Sequence, residues 1–484
     1  MSRILLVNPP FYRLLGSHYN SNSLGIAYIA SYLNERGHDA WLYNADFVNQ
    51  ESYADLSGLY TGFEDYKEYF QDEDADIWNE VAANVIAFEP EWVGYTSYTA
   101  NISAIDIISK KVRRERPNIK QVVGGVHATL DSLILHKLPA IAFTVRREGE
   151  KAMCALVDGE DPALITGVIS RKGSSELVFN GDADVIQDID SLPYPERDKF
   201  YMLSEEEKLT VDISYICTIR GCPYRCNYCA SPFHWKRDKT QFRTPDSVIS
   251  EMHHIKDNYW SRGTKYDYSA SANASPKNQL IIEDNTMVYF VDDVFTVRKR
   301  RVKEVLRRIV DEKLEMPWKC EARTDHLDEE ICRLMAKAGC KRVKLGFESG
   351  SDRILLQIQK DETKEDMRRG ARLLKDAGVP FTAYFMTGFP GETDEDLKQT
   401  VEFAKEINAD YYSLSILAPY FGTKMYYDLM EQGFELDKQP WEYFFHQTGE
   451  RLVNDTLSEG MIKEYLSLNQ LNAGKDAPES EGYV

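Results

Sequence analysis

The sequence predicts an α/β chain in two parts. A doubly wound (Rossmann-like) parallel sheet is followed by a partial (β/α)6 TIM-like barrel with a small helical C-terminal extension. Three observations predict it. Apolar runs of strand length alternate with helix-period segments in both halves. Proline and glycine punctuate the joins. The 484 residues also exceed what one core ordinarily carries.

The first strand is "RILLVNPP", buried in pattern and stopped by two prolines. "LGIAYIASYLNERG" follows as a helix, with Ile26, Ile29, Ala30 and Leu33 at helical spacing and Gly37 as its stop. "AWLYNAD", "EWVGYTSYT", "KQVVGGVHAT" and "AIAFTVRREGE" read as four further strands, with "NISAIDIISKKVRRER" as a helix among them. Residues 51–80 interrupt the pattern with ten acids against one base, Lys67, and read as a solvated amphipathic helical insertion, with a lid or a partner surface as the alternative. "ITGVISRKGSSELVFNG" reads as a hairpin, and "DIDSLPYPERDKF" as a linker. The expected divisions are 1–200, 201–425 and 426–484.

The second half repeats a strand–helix unit six times, with strands "DISYICTI", "MVYFVDD", "WKCEAR", "RVKLGFESG", "FTAYFMTGFPG" and "YYSLSILAPYFG". Thr244 before Pro245 marks one helix start. Thr363 and Thr393 each open a Thr-x-x-Asp capping pattern. Met367, Ala371 and Leu374 form one buried stripe, and Leu397, Val401 and Ala404 another. Residues 262–284 are polar and read as a loop insertion before the second barrel strand, and the last dozen residues read as disordered. In both architectures chemistry gathers at the carboxyl ends of strands, so polar strand ends are where a site is sought.

Composition excludes some roles. A net charge of -20 repels phosphate backbones, so nucleic-acid binding is not expected. The one basic run, "RKRRVK", reads as the solvated start of a helix. Apolar stretches are too short for a membrane span. "MSRILLVNPP" lacks the layout of a signal peptide, which makes a cytoplasmic location the expectation. No disulfide framework is expected for the eight cysteines.

Four of those cysteines crowd into "CTIRGCPYRCNYCA". Cys222, Cys226 and Cys229 have CxxxCxxC spacing after the first barrel strand, where Gly221 and Pro223 force an irregular loop. Three thiolates on one loop suit one face of a 4Fe-4S cube and leave one iron without a protein ligand. Zinc is the rival, although structural zinc sites pair two ligand sets and no second pair is present. Cys217 reads as strand core.

This loop, with Tyr228 before its last cysteine, resembles the radical S-adenosylmethionine (SAM) enzymes. "FVDD", "CEARTD", "LGFESGS", "GFPGET" and "ILAPYFGT" follow in the order that superfamily shows. The N-terminal half, through "VNPP", "LGIAYIASYLNERGHD", "VGYTSYT", "VGGVHAT" and "REGE", is similar to the cobalamin-binding domain of one subgroup. The resemblance implies that the open iron chelates SAM, and that one electron from the cluster yields a 5'-deoxyadenosyl radical. It implies that Asp292 and Asp293 meet the methionyl amine and that Arg323 pairs with the carboxylate. Glu348 and Ser349 would reach the ribose, and Tyr228, Gly388 and Pro390 would line the adenine. It further implies a cobalamin held over the barrel mouth by Asn8, Pro9, Ser97, Tyr98, Thr99, Gly124, Gly125, His127 and Glu148. The DxHxxG motif that supplies a cobalt ligand in many cobalamin proteins is absent; His18 and His127 stand nearby.

The function this implies is C-methylation of a small molecule, with cobalamin, SAM and a 4Fe-4S cluster as cofactors and a flavodoxin or ferredoxin as electron donor. Oxidative cyclisation or rearrangement on the same scaffold is the alternative. A non-catalytic iron–sulfur or zinc protein is the alternative of another class. A tRNA methylthiotransferase would need a second cluster, and only Cys154 precedes residue 217. Trp441, Tyr443, Phe444 and His446 either line a substrate pocket or pack on the barrel. No catalytic residue is assigned.

Overall fold

Two sheets organise the chain, one mostly parallel and one wholly parallel. The computed structural model describes residues 1–468 apart from 18, 50–55, 174–175, 184, 236–239, 261–286 and 447–450. The expected loop insertion at 262–284, the C-terminal tail and His18 lie outside the described residues. Among the described residues, no helix is long and apolar enough to cross a membrane.

The chain divides into two units. The first takes Met1–Ile213, Phe233–Trp235 and Tyr420–Phe445. The second takes Ser214–Pro232, Lys236–Pro419 and the residues from His446 on. The stretch Tyr420–Phe445, which the sequence divides between barrel and extension, thus belongs with the first sheet. Aromatic packing accounts for this: Phe445 meets Phe11 edge-on at 4.7 Å, and Tyr443 meets Phe63 at 5.9 Å.

The first unit holds β1 (Arg3–Asn8), β2 (Asp39–Asn44), β3 (Trp92–Ser97), β4 (Lys120–Gly125), β5 (Phe143–Val145), β6 (Val168–Lys172) and β7 (Glu176–Phe179). Their spatial order is β2-β1-β3-β4-β5-β6-β7. The first five run parallel, and the predicted hairpin, β6–β7, extends the sheet antiparallel beyond β5. The order reverses between β1 and β3, so the crevice beyond Asn8 and Ser97 is the topological switch point where such sheets take ligands. Helix Leu24–Glu35 buries Ile26, Ala30 and Leu33 as its spacing predicts. The acidic insertion is helical, Leu56–Tyr69, and plants Phe63 and Tyr66 in the core.

The second unit holds β8 (Tyr215–Ile216), a two-stranded ribbon of β9 (Ile219–Arg220) and β10 (Gln241–Phe242), and then β11 (Val288–Phe290), β12 (Trp318–Ala322), β13 (Cys340–Glu348), β14 (Phe381–Thr387) and β15 (Tyr411–Ile416). Six of these form one parallel sheet in the order β15-β14-β13-β12-β11-β8, the open barrel predicted. The caps are as the sequence signals them. Thr244 accepts the Ser247 N–H at 3.2 Å, and Thr363 and Thr393 form capping boxes with Asp366 and Asp396. Helix Glu459–Ser467 closes the β14–β15 edge: its buried Tyr465 donates a hydroxyl hydrogen bond to the Phe385 carbonyl at 2.7 Å.

Two expectations are corrected here. Cys217 is not inside the strand, because β8 stops at Ile216. The "RKRRVK" run is not wholly solvated: Arg301 is buried and donates to the backbone carbonyls of Arg243 and Thr218 at 2.7 and 3.1 Å.

Candidate functional site

The cysteine loop is held by one carboxylate. Asp292 follows β11 and is buried; its Oδ1 accepts the backbone N–H groups of Thr218 and Ile219 at 2.6 and 2.8 Å. Its Oδ2 accepts the Thr218 hydroxyl at 2.5 Å. Those N–H groups would otherwise continue the β8 ladder, so Asp292 turns the chain out of the sheet and starts the loop. Burial nonetheless lifts its pKa to about 6.

Cys222 and Cys226 are buried and Cys229 is partly buried. Burial raises all three thiol pKa values, Cys222 to about 12, with added repulsion from Asp293 on Cys222 and from the neighbouring thiols. Lys360 and Arg323 act the other way on Cys226. Three buried thiols on one loop, with cations beside them, fit the anionic thiolate set of an iron–sulfur cluster. Asp293 differs from its neighbour. Its carboxylate accepts the Ser231 hydroxyl at 2.5 Å, and its charge is felt by Cys222 and Cys229.

Arg323 is committed within the protein. It donates to Asp325 twice at 3.1 Å and to the carbonyls of Lys360 and Asp361 at 3.0 and 3.2 Å, and its guanidinium lies 3.8 Å over the Tyr224 ring. It therefore positions the loop that carries Lys360, a residue the sequence reading missed. Lys360 is buried, with Nζ 3.3 Å from Glu348 and 3.4 Å from Glu362. Burial disfavours its charge, but Glu348 and Glu362 outweigh that and hold its pKa above the ordinary value. Glu348 adopts a left-handed φ of 63° where β13 slips register against β14. That turn brings its carboxylate back over Gly346: an added Cβ there would lie 2.4 Å from Glu348 Oε1.

Ser349 is fully buried and bonds Thr400 Oγ1 at 3.0 Å, so its hydroxyl joins strand end to helix. Gly388 has φ 87°, and the Pro390 carbonyl accepts from Gln357 at 2.8 Å. The Tyr228 and Phe389 rings meet edge-on at 6.2 Å. Glu392, also missed, closes this turn by accepting from Thr387 Oγ1, Gly388 N and Phe389 N at 3.0, 2.7 and 3.1 Å. Burial lifts its pKa to about 7 against those bonds. Lower on the inner face, Tyr289 donates to Glu321 at 2.6 Å and Lys344 donates to Tyr289 at 3.2 Å. The alternation in β13 that turns Lys344 and Glu348 inward and Val343, Leu345 and Phe347 outward was the available signal.

In the first unit the expected cobalamin residues gather at the carboxyl edge of the sheet. Asn8 donates to Asn44 at 3.0 Å. Pro9 follows β1 directly. Ser97 donates to the Gly124 carbonyl at 2.6 Å and accepts the Ala128 N–H at 3.1 Å. The Tyr98 N–H is capped by Asn101 at 2.8 Å. Thr99 Oγ1 lies 3.0 Å from His127 Nδ1. Gly125 has φ 96°, and a Cβ on it would lie 2.7 Å from the Ser97 nitrogen. His127 is fully buried against Trp441 and Phe421, at 4.8 and 5.3 Å, with Nε2 making no hydrogen bond and Asp131 at 3.8 Å. Burial drives its pKa down to about 3, so it is neutral. The Glu148 carboxylate accepts the Ile186 N–H at 2.6 Å and ties down the segment just before the linker. Neutral amides and hydroxyls, a glycine-tight strand end and a neutral imidazole with an unused nitrogen fit the amide-rich corrin better than a charged ligand.

Comparison with known proteins assigns a family to each of the two regions. Residues 216–404 match the model of the radical SAM superfamily, and residues 16–157 match that of the B12 binding domain. The chain is 28% identical to the uncharacterized methyltransferase PH0819 of Pyrococcus horikoshii, over 88% of this chain and 82% of that one. It is 24% identical to the anaerobic magnesium-protoporphyrin IX monomethyl ester cyclase of Rubrivivax gelatinosus, over 72% of this chain but only 60% of that one. The fold resembles that of the radical SAM methyltransferase TsrM from Kitasatospora setae, with TM-score 0.64 and 20% identity over 89% of this chain and 75% of that chain. With three thiols on the loop after β8, a B12 binding domain before them and both family models matched in order, the chain belongs to the radical SAM superfamily and is a cobalamin-dependent radical SAM enzyme.

Proposed function

We propose that the protein is a radical SAM C-methyltransferase of a small-molecule substrate. The observation that carries this is the pairing, in one chain, of a three-thiol loop with a B12 binding domain. When bound, the cluster supplies the electron that cleaves SAM, and cobalamin supplies a transferable methyl group. Cys222, Cys226 and Cys229 hold the cluster. Asp293, which accepts the Ser231 hydroxyl, meets the methionyl amine, while Asp292 shapes the loop. Lys360 and Arg323, both paired with acids of the protein and both acting on Cys226, are the cations offered to the SAM carboxylate. Glu348 reaches the ribose from its left-handed turn, with Ser349 as its support. Tyr228, Gly388 and Pro390 wall the adenine. Asn8, Pro9, Ser97, Tyr98, Thr99, Gly124, Gly125, His127 and Glu148 form or support the corrin-facing edge. An electron carrier such as flavodoxin or ferredoxin completes the cycle.

The second reading is oxidative cyclisation, which the similarity to a cyclase over 72% of the chain favours. Product analysis separates the two. Turnover of SAM with substrate should give S-adenosylhomocysteine and 5'-deoxyadenosine together. 5'-Deoxyadenosine alone would overturn the methyltransferase reading.

A further inference from the structure

At the amino edge of the first sheet, away from the strand ends that carry Asn8, Ser97 and Gly125, three different metal-ligating side chains converge. His38 immediately precedes β2; Cys154 and Asp158 lie one turn apart in helix Glu150–Asp158. His38 Nε2 stands 3.1 Å from Asp158 Oδ1, and Cys154 Sγ stands 3.4 Å from Asp158 Oδ2. One donor atom from each of the three lies within 4.8 Å of the others. We propose that His38, Cys154 and Asp158 bind a zinc-type divalent cation that ties the entry of β2 to this helix.

The donor chemistry selects the ion. A thiolate, an imidazole and a carboxylate suit zinc, whereas a magnesium or calcium site would be built from oxygens. Donors at about 2.0–2.3 Å from zinc in a tetrahedron lie roughly 3.3–3.8 Å apart, so only small movements are needed. Cys154 and the His38 ring lie inside, while Asp158 is half exposed. That leaves the outward side for a water as fourth ligand. The charge closes as well. One thiolate and one carboxylate neutralise a divalent ion, so the nearby Arg36, stacked over Tyr32, meets no net positive charge. On binding, the Cys154 thiol gives its proton to solvent. The His38 proton moves from Nε2, where it serves Asp158, to Nδ1, and the 3.4 Å contact from the Ser2 N–H to Nδ1 is released.

The test uses the full-length protein with its cluster intact, so that cluster thiols do not compete. After incubation with zinc and desalting, metal analysis should find one zinc per chain beyond the iron. Cys154→Ser and Asp158→Asn should each lose that zinc while iron content and circular dichroism stay unchanged. Asp158 is exposed enough that its variant folds even if Cys154→Ser does not. In the wild type, cobalt(II) in place of zinc should give a thiolate-to-cobalt charge-transfer band, absent from Cys154→Ser. No zinc in the wild type, or equal zinc in wild type and folded variants, would overturn the proposal.

Discussion

Asp292 grips Thr218 at two points, the backbone N–H at 2.6 Å and the hydroxyl at 2.5 Å, across 74 residues of sequence. Its neighbour Asp293 makes neither contact and bonds Ser231 instead. Adjacent acids therefore do different work. Asp292→Asn weakens charge-assisted bonds worth roughly 1.5–3 kcal/mol each; it should lower the unfolding midpoint and reduce bound iron together. Asp293→Asn should keep stability and iron but weaken SAM binding at least tenfold by calorimetry. Equal behaviour of the two variants would contradict this division.

Gly125 and Gly124 make a second contrast. At Gly125 both the positive φ and the backbone of Ser97 oppose a side chain, whereas a Cβ on Gly124 meets Val145 at ordinary contact distance, its carbonyl oxygen at 3.4 Å and its Cβ at 4.0 Å. Gly125→Ala should cost about 1–3 kcal/mol from backbone conformation alone, with more from the clash, and should abolish cobalamin uptake. Gly124→Ala should fold with a loss well below that. Thermal unfolding and corrin absorbance after reconstitution measure both.

Glu392 sets a pH dependence. Its folded pKa of about 7 exceeds the ordinary 4.5, so the folded state holds the proton more tightly than the unfolded chain. Its contribution is therefore most favourable below pH 4.5 and declines as pH rises through 7. Between pH 5 and pH 8 the loss from this group is on the order of 2–3 kcal/mol. Urea titrations of SAM-free protein at both values should show that decline shrink by about this amount in Glu392→Gln.

Lys360 neutralises two acids at once. Lys360→Met leaves Glu348 without its cation and Glu362 with Arg323 alone, 3.5 Å away, and should cost about 3–5 kcal/mol, as breaking one side of a buried ion pair does. Adding Glu362→Gln should recover part of the loss. Additive effects in that double-mutant cycle would mean that the two side chains are not coupled.

The architecture was legible because its signals are local. The capping threonines 244, 363 and 393 and the helical stripe of Met367, Ala371 and Leu374 each act within a few residues. The cysteine spacing was equally local. What stayed hidden depends on contacts between distant residues. Lys360 sits past a helix end, where a search of strand ends does not look, and reaches the site only because Arg323 holds its carbonyl. Arg301 read as surface because nothing nearby in sequence shows that it fills the space behind Thr218. The different partners of Asp292 and Asp293 follow from which way each side chain leaves the end of β11, which the pair's identical chemistry conceals.

The proposed site has three thiols, and no more, holding a cluster with one open iron. Iron and sulfide content after anaerobic reconstitution tests this directly, in the wild type and in Cys222→Ala, Cys226→Ala, Cys229→Ala and Cys217→Ala. About four irons and four sulfides per chain are expected in the wild type and in Cys217→Ala, and loss of the cluster in each of the other three. Full iron in any of those three, or its loss in a folded Cys217→Ala, would contradict it.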